Sequence, residues 1–505
     1  MALKTLSIKD FTGGRNSKAA SPTHAANESL DQRSTWCENN ALVKTKGWTG
    51  AVAQTSASNP VLAIQTALTP LGAAGTNRLV IMSDIAAGGV SGARLVYTDN
   101  GTTFALCEAT PTVFSGTAVP FMGMFRGKLY ISDGTNNARS YDGTTVVDLG
   151  ATATSFPNYN VCAIHKNYIF AASGNTVKWC NINDVATWAL NNFQNLDSDA
   201  GDSIIAMKSW GGNLIIFCKR SMWLLVGDVF DPIDAQYYLQ KINTPSNYGF
   251  FVPEGIVIHL NAIKFLTTDG IYVYIGGNTI TKISDLIQPD TDAIPTTGAE
   301  LTYFAASNTP RAYIWKNAYY IHYMASSVRK CIIHDDKGKW WSMVDTGGAV
   351  GFNTSPILGV SCNLGSGEKI FGFMPDKGMV LALDSGYSLA PPSDIDTSAA
   401  VTAYWISKDF NLPNESQFKY ADIFLKKQAA VDGLGTLVFS VSIDGATFVD
   451  FNVDMMNGVG TILKKRVPIA RIGRSIRVKV YNAELGVNFE VYQINVVHEL
   501  TTAMR

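Results

Sequence analysis

The stretch NYIFAASGNTVKWCN, residues 167–181, shows the pattern from which the architecture of this chain can be predicted. A short apolar run, a Ser-Gly-Asn turn and a second short run ending in an aromatic residue predict an antiparallel hairpin. Similar apolar runs next to turn residues occur at NRLVIMSD (77–84), GKLYISDG (127–134), GNLIIFCK (212–219), NAIKFLTTDG (261–270), NAYYIHYM (317–324) and EKIFGFM (368–374). The seven runs follow one another at fairly even spacing. A period of roughly 40 to 50 residues built from short strands predicts a β-propeller with four-stranded blades.

The composition agrees with an all-β chain. Only 16 % of the residues are charged, while Gly (44), Phe (24) and Tyr (20) are abundant, and almost no long stretch has the period of an amphipathic helix. We therefore predict an all-β fold with a propeller of six or seven blades. The alternative is an irregular β-sandwich protein with coincidental spacing, because any all-β chain places a turn roughly every 8 to 12 residues.

Three segments differ in character along the chain. Residues 1–58 are polar with isolated aromatics and predict an extended N-terminal arm, and residues 59–390 hold the propeller repeats. The stretch GYSLAPPSDIDTSA (386–399) combines two prolines with small polar residues, which is typical of a linker. Residues 391–505 then contain six strand-like runs and predict a C-terminal β-sandwich, platform-like in character.

Charge and cysteine usage narrow the classes of partner and compartment. Lys plus Arg number 40 against 41 Asp plus Glu, so the formal charge of −1 provides no global field that selects nucleic acid or membrane. The seven cysteines are scattered without a C-x-x-C pair, which argues against a zinc ribbon or a disulfide framework and favours folding in a reducing cytosol. Apolar stretches are all short and interrupted, so we expect neither a signal peptide nor a membrane span.

Familiar catalytic motifs do not occur in the sequence. It has no G-x-S-x-G, H-E-x-x-H or Walker pattern, and four of its six histidines (165, 259, 322 and 498) lie in strand-like apolar runs, where a core imidazole is expected. We therefore expect no enzyme, no cofactor and no metal. The segment YTDNGTTF (97–104) resembles the aspartate box of sialidase-like propellers, which is a structural turn in which an Asp accepts backbone N–H bonds.

The strongest local charge bias lies between residues 460 and 481. This stretch contains no acidic residue and seven basic ones, namely Lys464, Lys465, Arg466, Arg471, Arg474, Arg477 and Lys479. Around 477–480 basic and apolar residues alternate, so one face of a strand would be cationic and the other buried. The strip either faces phosphates or is an ordinary solvated strand face paired with neighbouring acids.

The order of these features resembles the tail hub, or nozzle, proteins of short-tailed bacteriophages, including the packaged-DNA-stabilisation proteins of the P22-like group. The resemblance rests on FTGG (11–14), NNALVKTKGW (39–48), the hairpin FLTTDGIYVYIGGNTITKISD (265–285), SIDGATF (442–448) and the basic run KKRVPIARIGRSIRVKV (464–480). It extends over most of the chain, and it offers no catalytic residue for transfer.

The resemblance implies a non-enzymatic structural subunit of the virion tail, assembled in the host cytoplasm. Such subunits form a hexameric ring below the portal and adaptor, beside tail fibre, spike or needle proteins, and they retain packaged DNA and conduct it through the lumen without reading its sequence. The seven basic residues would then face DNA or the adaptor ring. The alternative function is a carbohydrate-binding or glycan-cleaving propeller, either sialidase-like or part of a tail fibre or baseplate.

Overall fold

The structure is a computed structural model. It describes residues 3–17, 23–44, 48–52, 61–67, 77–84, 93–100, 103–108, 114–115, 119–150, 155–197, 199, 201–229, 236–244, 251–287, 310–325, 328–343, 357–364, 368–374, 379–383, 388–389, 399–400, 402–427, 435–457, 461–484 and 487–501. These residues form β-strands joined by turns and include two short 3₁₀ turns, Pro253–Gly255 and Asp285–Ile287. The same ranges contain no α-helix, and within them no helix is long and apolar enough to span a membrane.

The N-terminal region contributes six strands. They are β1 (Lys4–Ile8), β2 (Gly14–Arg15), β3 (Glu28–Arg33), β4 (Thr35–Glu38), β5 (Ala41–Lys44) and β6 (Trp48–Val52).

Seven four-stranded antiparallel sheets, the blades, come next. Blades 1 to 3 contain β7 (Val61–Ala67), β8 (Arg78–Asp84), β9 (Ala93–Thr98) and β10 (Ala105–Leu106); β11 (Phe121–Phe125), β12 (Lys128–Ser132), β13 (Arg139–Tyr141) and β14 (Val146–Asp148); and β15 (Val161–His165), β16 (Tyr168–Ser173), β17 (Thr176–Trp179) and β18 (Phe193–Asn195). Blades 4 and 5 contain β19 (Ile204–Trp210), β20 (Asn213–Cys218), β21 (Met222–Asp228) and β22 (Gln236–Ile242); and β23 (Val257–His259), β24 (Ala262–Thr267), β25 (Gly270–Tyr274) and β26 (Ile280–Lys282). Blades 6 and 7 contain β27 (Arg311–Trp315), β28 (Ala318–Ala325), β29 (Val328–His334) and β30 (Trp340–Met343); and β31 (Ile357–Asn363), β32 (Glu368–Met374) and β33 (Met379–Leu383).

The C-terminal region begins with the short pair β34 (Ser388–Leu389) and β35 (Ala399–Ala400). It continues with β36 (Ala403–Ser407), β37 (Phe410–Lys426), β38 (Thr436–Ile443), β39 (Val449–Asp454), β40 (Ile462–Asn482) and β41 (Glu490–Leu500). Strands β36 to β41 form one eleven-stranded sheet together with β1 to β5.

The blades close into a ring through the N-terminal strand β6. Blade 7 takes its outermost strand from the N-terminal region, because β6 pairs antiparallel with β33 and places Trp48 opposite Leu383. The innermost strand of blade 7, β31, lies against β7 of blade 1. The prediction of an all-β fold, with a propeller of six or seven blades and a C-terminal β-sandwich, is therefore confirmed: the described residues form seven blades and a sandwich-like C-terminal region.

The expected extended arm is instead built into the sheets. The ring of Phe11 is fully buried, with its centroid 5.2 Å from that of Trp405 in an edge-to-face contact, and β1 pairs with β41 over its whole length. The partners of these strands lie hundreds of residues away, so the short polar segment taken alone does not reveal the pairing. The predicted boundaries after residues 58 and 390 lie outside the described residues.

Strand patterning follows from where each sheet is covered. Residues Leu214 to Cys218 of β20 are all buried, as expected for a blade strand covered on both faces by neighbouring blades. In β40, by contrast, buried Ile476, Val478 and Val480 alternate with partly exposed Arg477 and Lys479. One face of that half of the strand therefore lies in the core of the C-terminal sheet and the other carries charge.

Candidate binding sites

All seven predicted site residues lie on the 21-residue strand β40, but most of them are paired with acids. Lys464 Nζ lies 3.0 Å from a carboxylate oxygen of Asp422, and Arg466 donates to both oxygens of the same carboxylate at 2.8 and 3.0 Å. The hydrogen bonds from Arg466, and then that from Lys464, hold the pKa of Asp422 below its usual value although burial opposes the shift. Lys465 lies 3.9 Å from Asp454.

The C-terminal half of the strip is also engaged within the sheet. Arg477 donates to both carboxylate oxygens of Asp409, at 2.9 and 2.5 Å. The Lys479 ammonium lies 5.0 Å from the ring centroid of Tyr481 and 5.4 Å from that of Tyr404. The interpretation as a strand face paired with neighbouring acids therefore describes four of the seven cations, and Lys479 packs on aromatic rings.

The two remaining cations, Arg471 and Arg474, project from the middle of β40. Both are exposed, and neither has an ion pair with any residue in the described ranges. Between them Ile472 is 56 % exposed. We call residues 471–474 the β40 tip. Whether the tip or the rest of the strip meets DNA or an adaptor ring stays a prediction.

A turn holds the β40 tip in place. Asp444 and Gly445 have φ values of 50° and 75°, which form a tight Asp-Gly turn after β38. One carboxylate oxygen of Asp444 accepts hydrogen bonds from the backbone N–H groups of Arg474 and Ser475, at 2.8 and 2.7 Å. The approach is so close that a Cβ on Gly473 would lie 2.7 Å from the other oxygen of Asp444. The SIDGATF motif thus anchors the basic strand.

A second candidate site was missed by sequence analysis and lies on the propeller axis. A cavity of about 490 Å³ is lined by the innermost strands of blades 1 to 6 and by the turn before β23. Its described lining includes three charged residues, namely Lys208 of β19, Glu254 of the 3₁₀ turn and Arg311 at the start of β27. The first strand of each blade lies next to the central channel of a propeller. A charged residue in that strand, or just before it, was therefore the sequence signal that could have indicated this site.

Burial and charge act together on the axial cavity. Burial lowers the pKa of Lys208, and the negative charge of Glu254 opposes that shift. The pKa of Arg311, a residue only 1 % exposed, is lowered in the same way, again with Glu254 opposing. The carboxylate of Glu254 therefore interacts electrostatically with both Lys208 and Arg311. Polar Asn160 and Ser209 also line the cavity.

The segment that resembles an aspartate box takes part in a network of side chains. Among the described residues, the two carboxylate oxygens of Asp99 accept hydrogen bonds from Arg78 at 2.7 and 2.6 Å. The Arg78 guanidinium stacks 3.7 Å from the ring centroid of Tyr97 and donates to the Tyr141 hydroxyl at 2.8 Å. Because Tyr141 belongs to blade 2, this network joins the first two blades. Its role here is structural.

The histidines are placed as the sequence predicts. His165, His259, His322 and His498 are all buried. His165 Nδ1 lies 2.8 Å from the Ser209 hydroxyl, and burial lowers its pKa to about 4. Within the ranges that the structure describes, no three His, Cys, Asp or Glu residues come together in a way that could hold a metal ion.

No model of a known protein family matches the chain, and no curated protein is significantly similar to it in sequence. Several solved structures resemble it. The computationally designed Ika8 protein is 11 % identical with a TM-score of 0.36, covering 66 % of this chain and 99 % of that one. The extracellular domain of a one-component system from B. thetaiotaomicron is 10 % identical with a TM-score of 0.43, covering 74 % and 43 %. An exo-β-1,3-galactanase from Phanerochaete chrysosporium is 10 % identical with a TM-score of 0.26, covering 90 % and 99 %.

The comparison corrects one expectation from the sequence. We expected a chain without hydrolase motifs to be non-enzymatic, but a glycoside hydrolase and the galactanase are among the similar structures. Missing motifs therefore give no ground for excluding an activity, and that expectation is withdrawn. With identities of 9 % and 10 % and TM-scores of 0.26, these two likenesses assign no substrate and no reaction to this chain.

Proposed function

We propose that the chain is a structural subunit of a short-tailed bacteriophage tail, one copy of the hub or nozzle ring that retains packaged DNA and conducts it during ejection. The observation that carries this proposal is the path of the N-terminal residues. The described parts of FTGG and NNALVKTKGW, on which the family resemblance begins, belong to strands β1 to β6 and their turns. These strands enter both the C-terminal sheet and blade 7, so one segment ties the two regions together.

A segment that links the propeller to the C-terminal sheet suits a subunit whose two regions must remain attached to each other while DNA moves past them. Ser29 Oγ donates to the Ile406 carbonyl at 3.0 Å in the C-terminal sheet, and Trp36 contacts Trp341 of blade 6 with ring centroids 5.8 Å apart. Ser17 N donates to the carbonyl of Leu286, between blades 5 and 6, at 2.9 Å. Besides β6, the N-terminal segment therefore contacts the propeller through this ring pair and this backbone hydrogen bond.

The charge distribution also supports a conduit. A wall that neutralised many phosphates would bind DNA tightly and in a salt-dependent way, whereas a wall with few free cations lets DNA slide. Of the seven predicted cations, four already pair with acids of the sheet, which leaves Arg471 and Arg474 as the exposed cations without ion pairs among the described residues of the strip.

Native mass spectrometry and electron microscopy of the purified chain test this proposal. A closed ring of several copies of the 54.5 kDa chain, with an open lumen, would support it. A species that remains monomeric at the highest soluble concentration and does not join a tail complex on co-expression with the neighbouring virion genes would contradict it.

A second candidate function is a carbohydrate-binding or glycan-cleaving propeller, and the axial cavity favours it. Small-molecule sites are typically concave and hold a few convergent polar groups, which describes the cavity around Lys208, Glu254 and Arg311. A screen of glycans that records both binding and released sugar tests this candidate. The candidate would be contradicted if the chain neither bound nor cleaved any of the neutral and acidic glycans in the screen.

A further inference from the structure

We infer that copies of this chain join head to tail through two strand edges of the C-terminal sheet, with β1 of one copy pairing antiparallel with β39 of the next. This inference rests on the proposed function. It names the contact by which the subunits of the ring would meet.

Strands β1 and β39 lie at edges of the C-terminal sheet. Within the described residues, β1 pairs only with β41, over Lys4–Ile8, and β39 pairs only with β38, over Val449–Asp454. Each strand therefore presents one row of backbone N–H and C=O groups that no other described strand covers. Such a row is a template for pairing with a further strand.

The strand directions allow two copies to pair at these edges. Along the path β39, β38, β40, β37, β41 and β1, all neighbours are antiparallel. The path has six strands, so β39 and β1 run in opposite directions. A second copy can therefore continue the sheet, with its β1 antiparallel to β39 of the first and with both core faces on the same side.

The apolar faces of the two edges match in one register. Ile8 of β1 and Val453 of β39 belong to the apolar core of the C-terminal sheet. Leu6 and Phe451 are partly buried against the same core. Because side chains alternate along a strand, the core continues across the contact only if these residues share a face. One register that meets this condition sets Ile8 opposite Phe451, and it also sets Leu6 opposite Val453.

The same register brings opposite charges together on the outward face. Lys9, the residue after β1, would lie opposite Asp450, and Ser7 would lie opposite Asn452. Lys9 and Asp450 are both exposed, and neither side chain has an ion pair or a hydrogen bond within the ranges that the structure describes. Opposite charges directly across two strands stabilise their pairing. The contact would therefore give each of these two charges a partner.

The charges also favour this pairing over the pairing of two identical edges. β39 carries Asp450 and Asp454 and no basic residue, whereas β1 carries Lys4 and no acidic residue. In one antiparallel register of two β39 strands, Asp450 would lie opposite Asp454, and like charges across two strands are destabilising. A contact between two different edges is heterologous, and repetition of it closes into a ring where the rotation between copies allows. The two edges therefore favour a ring over a symmetric dimer.

A cycle of charge reversals, followed by native mass spectrometry and sedimentation velocity of the full chain, tests the inference. Lys9→Glu and Asp450→Lys each place like charges across the contact, so each is expected to weaken association about fivefold or more. The double variant restores opposite charges in reverse order and is expected to associate like the wild type. The matched control is Lys128→Glu, the same change of charge at an exposed lysine on β12, which should leave association unchanged.

A pair of cysteines tests the register independently of charge. Ser7→Cys combined with Asn452→Cys places two thiols directly opposite each other across the contact, where the Cβ atoms of paired residues lie about 4.5 to 5.5 Å apart. Mild oxidation of the assembled double variant is expected to yield a ladder of covalent oligomers that a reductant removes, and neither single variant should yield it. An assembled double variant that gives no ladder would overturn the pairing.

The other outcomes separate the inference from the proposed function. If the wild type forms a ring that neither charge reversal weakens, the ring closes through another surface, and the inference is wrong while the proposed function stands. If the charge cycle behaves as expected but the assembly does not join a tail complex on co-expression with the neighbouring virion genes, the inference stands and the proposed function is wrong. A wild type that stays monomeric both alone and in that co-expression would overturn both.

Discussion

Replacing Phe11 by Ala tests whether the N-terminal residues are part of the core of the C-terminal sheet. The Phe11 ring is fully buried, belongs to the apolar core cluster of the C-terminal sheet and packs edge-to-face on Trp405 of β36. An extended arm would not bury this side chain. The substitution therefore separates the observed fold from the arm that the sequence suggests.

The expected cost follows from burial. Truncation of a fully buried Phe to Ala costs about 3 to 5 kcal/mol through lost transfer energy and the cavity left behind, and that range includes an aromatic pair contribution of about 0.5 to 1.5 kcal/mol. A loss of about 4 kcal/mol reduces the ratio of folded to open C-terminal sheet about a thousandfold. Leu3→Ala is the matched control, because Leu3 is 58 % exposed and its truncation should cost less than about 0.5 kcal/mol.

Hydrogen exchange read by mass spectrometry gives the measurement region by region. Peptides from β36 and β41 should lose about three decades of protection in Phe11→Ala, while peptides from blades 2 to 4 should keep theirs. Equal protection of β36 and β41 in Phe11→Ala and Leu3→Ala would refute the reasoning, because it would show that Phe11 contributes nothing to that sheet.

Three further predictions concern β40. Gly473→Ala should lower the free energy of unfolding by about 1 to 3 kcal/mol through overpacking, since the new Cβ would overlap the Asp-Gly turn; a denaturation midpoint equal to wild type would contradict this. Asp422 has a lowered pKa, so its ion pairs stabilise the fold above the unfolded pKa of about 3.9, and that contribution is lost as pH falls through the lower folded pKa. Asp422→Asn should therefore lower the free energy of unfolding at neutral pH, and the variant should lose less of that free energy than the wild type as the pH falls below about 4. A series of denaturation curves across pH that matches the wild type would contradict the pairing of Asp422 with Arg466. Arg471→Gln combined with Arg474→Gln should leave folding unchanged and reduce the salt dependence of DNA binding, with a slope smaller by about 1.8 per subunit if both contact phosphates; filter binding with an unaltered slope would remove the β40 tip from the DNA path.

The propeller was predictable because its signal is local and repeated. A blade hairpin such as the stretch 167–181 contains two paired strands and the turn between them, so a single short window of sequence reveals it. The alternation in the second half of β40 likewise exposes its buried and charged faces within one strand. Periodicity and turn chemistry depend on residues close together in the sequence, so the blade hairpins and the two faces of β40 can be predicted from the local sequence alone.

The N-terminal strands and the axial site were not predictable in this way. β3 takes its register from β36, and β6 takes its place from β33, so the partners that make them strands are absent from their own sequence neighbourhood. Lys208 and Arg311 are single charges on separate blades, and only closure of the ring brings them to one cavity. In the basic strip the local sequence shows only an excess of positive charge. The acids that pair with it, such as Asp422, belong to other strands and are not visible in that stretch of sequence.

The placement of β1 to β6 also affects how the chain folds during translation. Ser7 accepts a hydrogen bond from Gln493, 486 residues later, and blade 7 is incomplete until β33 emerges. At elongation rates of about 5 to 20 residues per second, roughly 25 to 100 s pass between the synthesis of Ser7 and that of Gln493. During that time its unpaired strand edges and the Phe11 ring are exposed to other nascent chains. Strand β1 therefore finds its partner only after β41 has been synthesised, which makes the pairing of β1 with β41 a late step of folding.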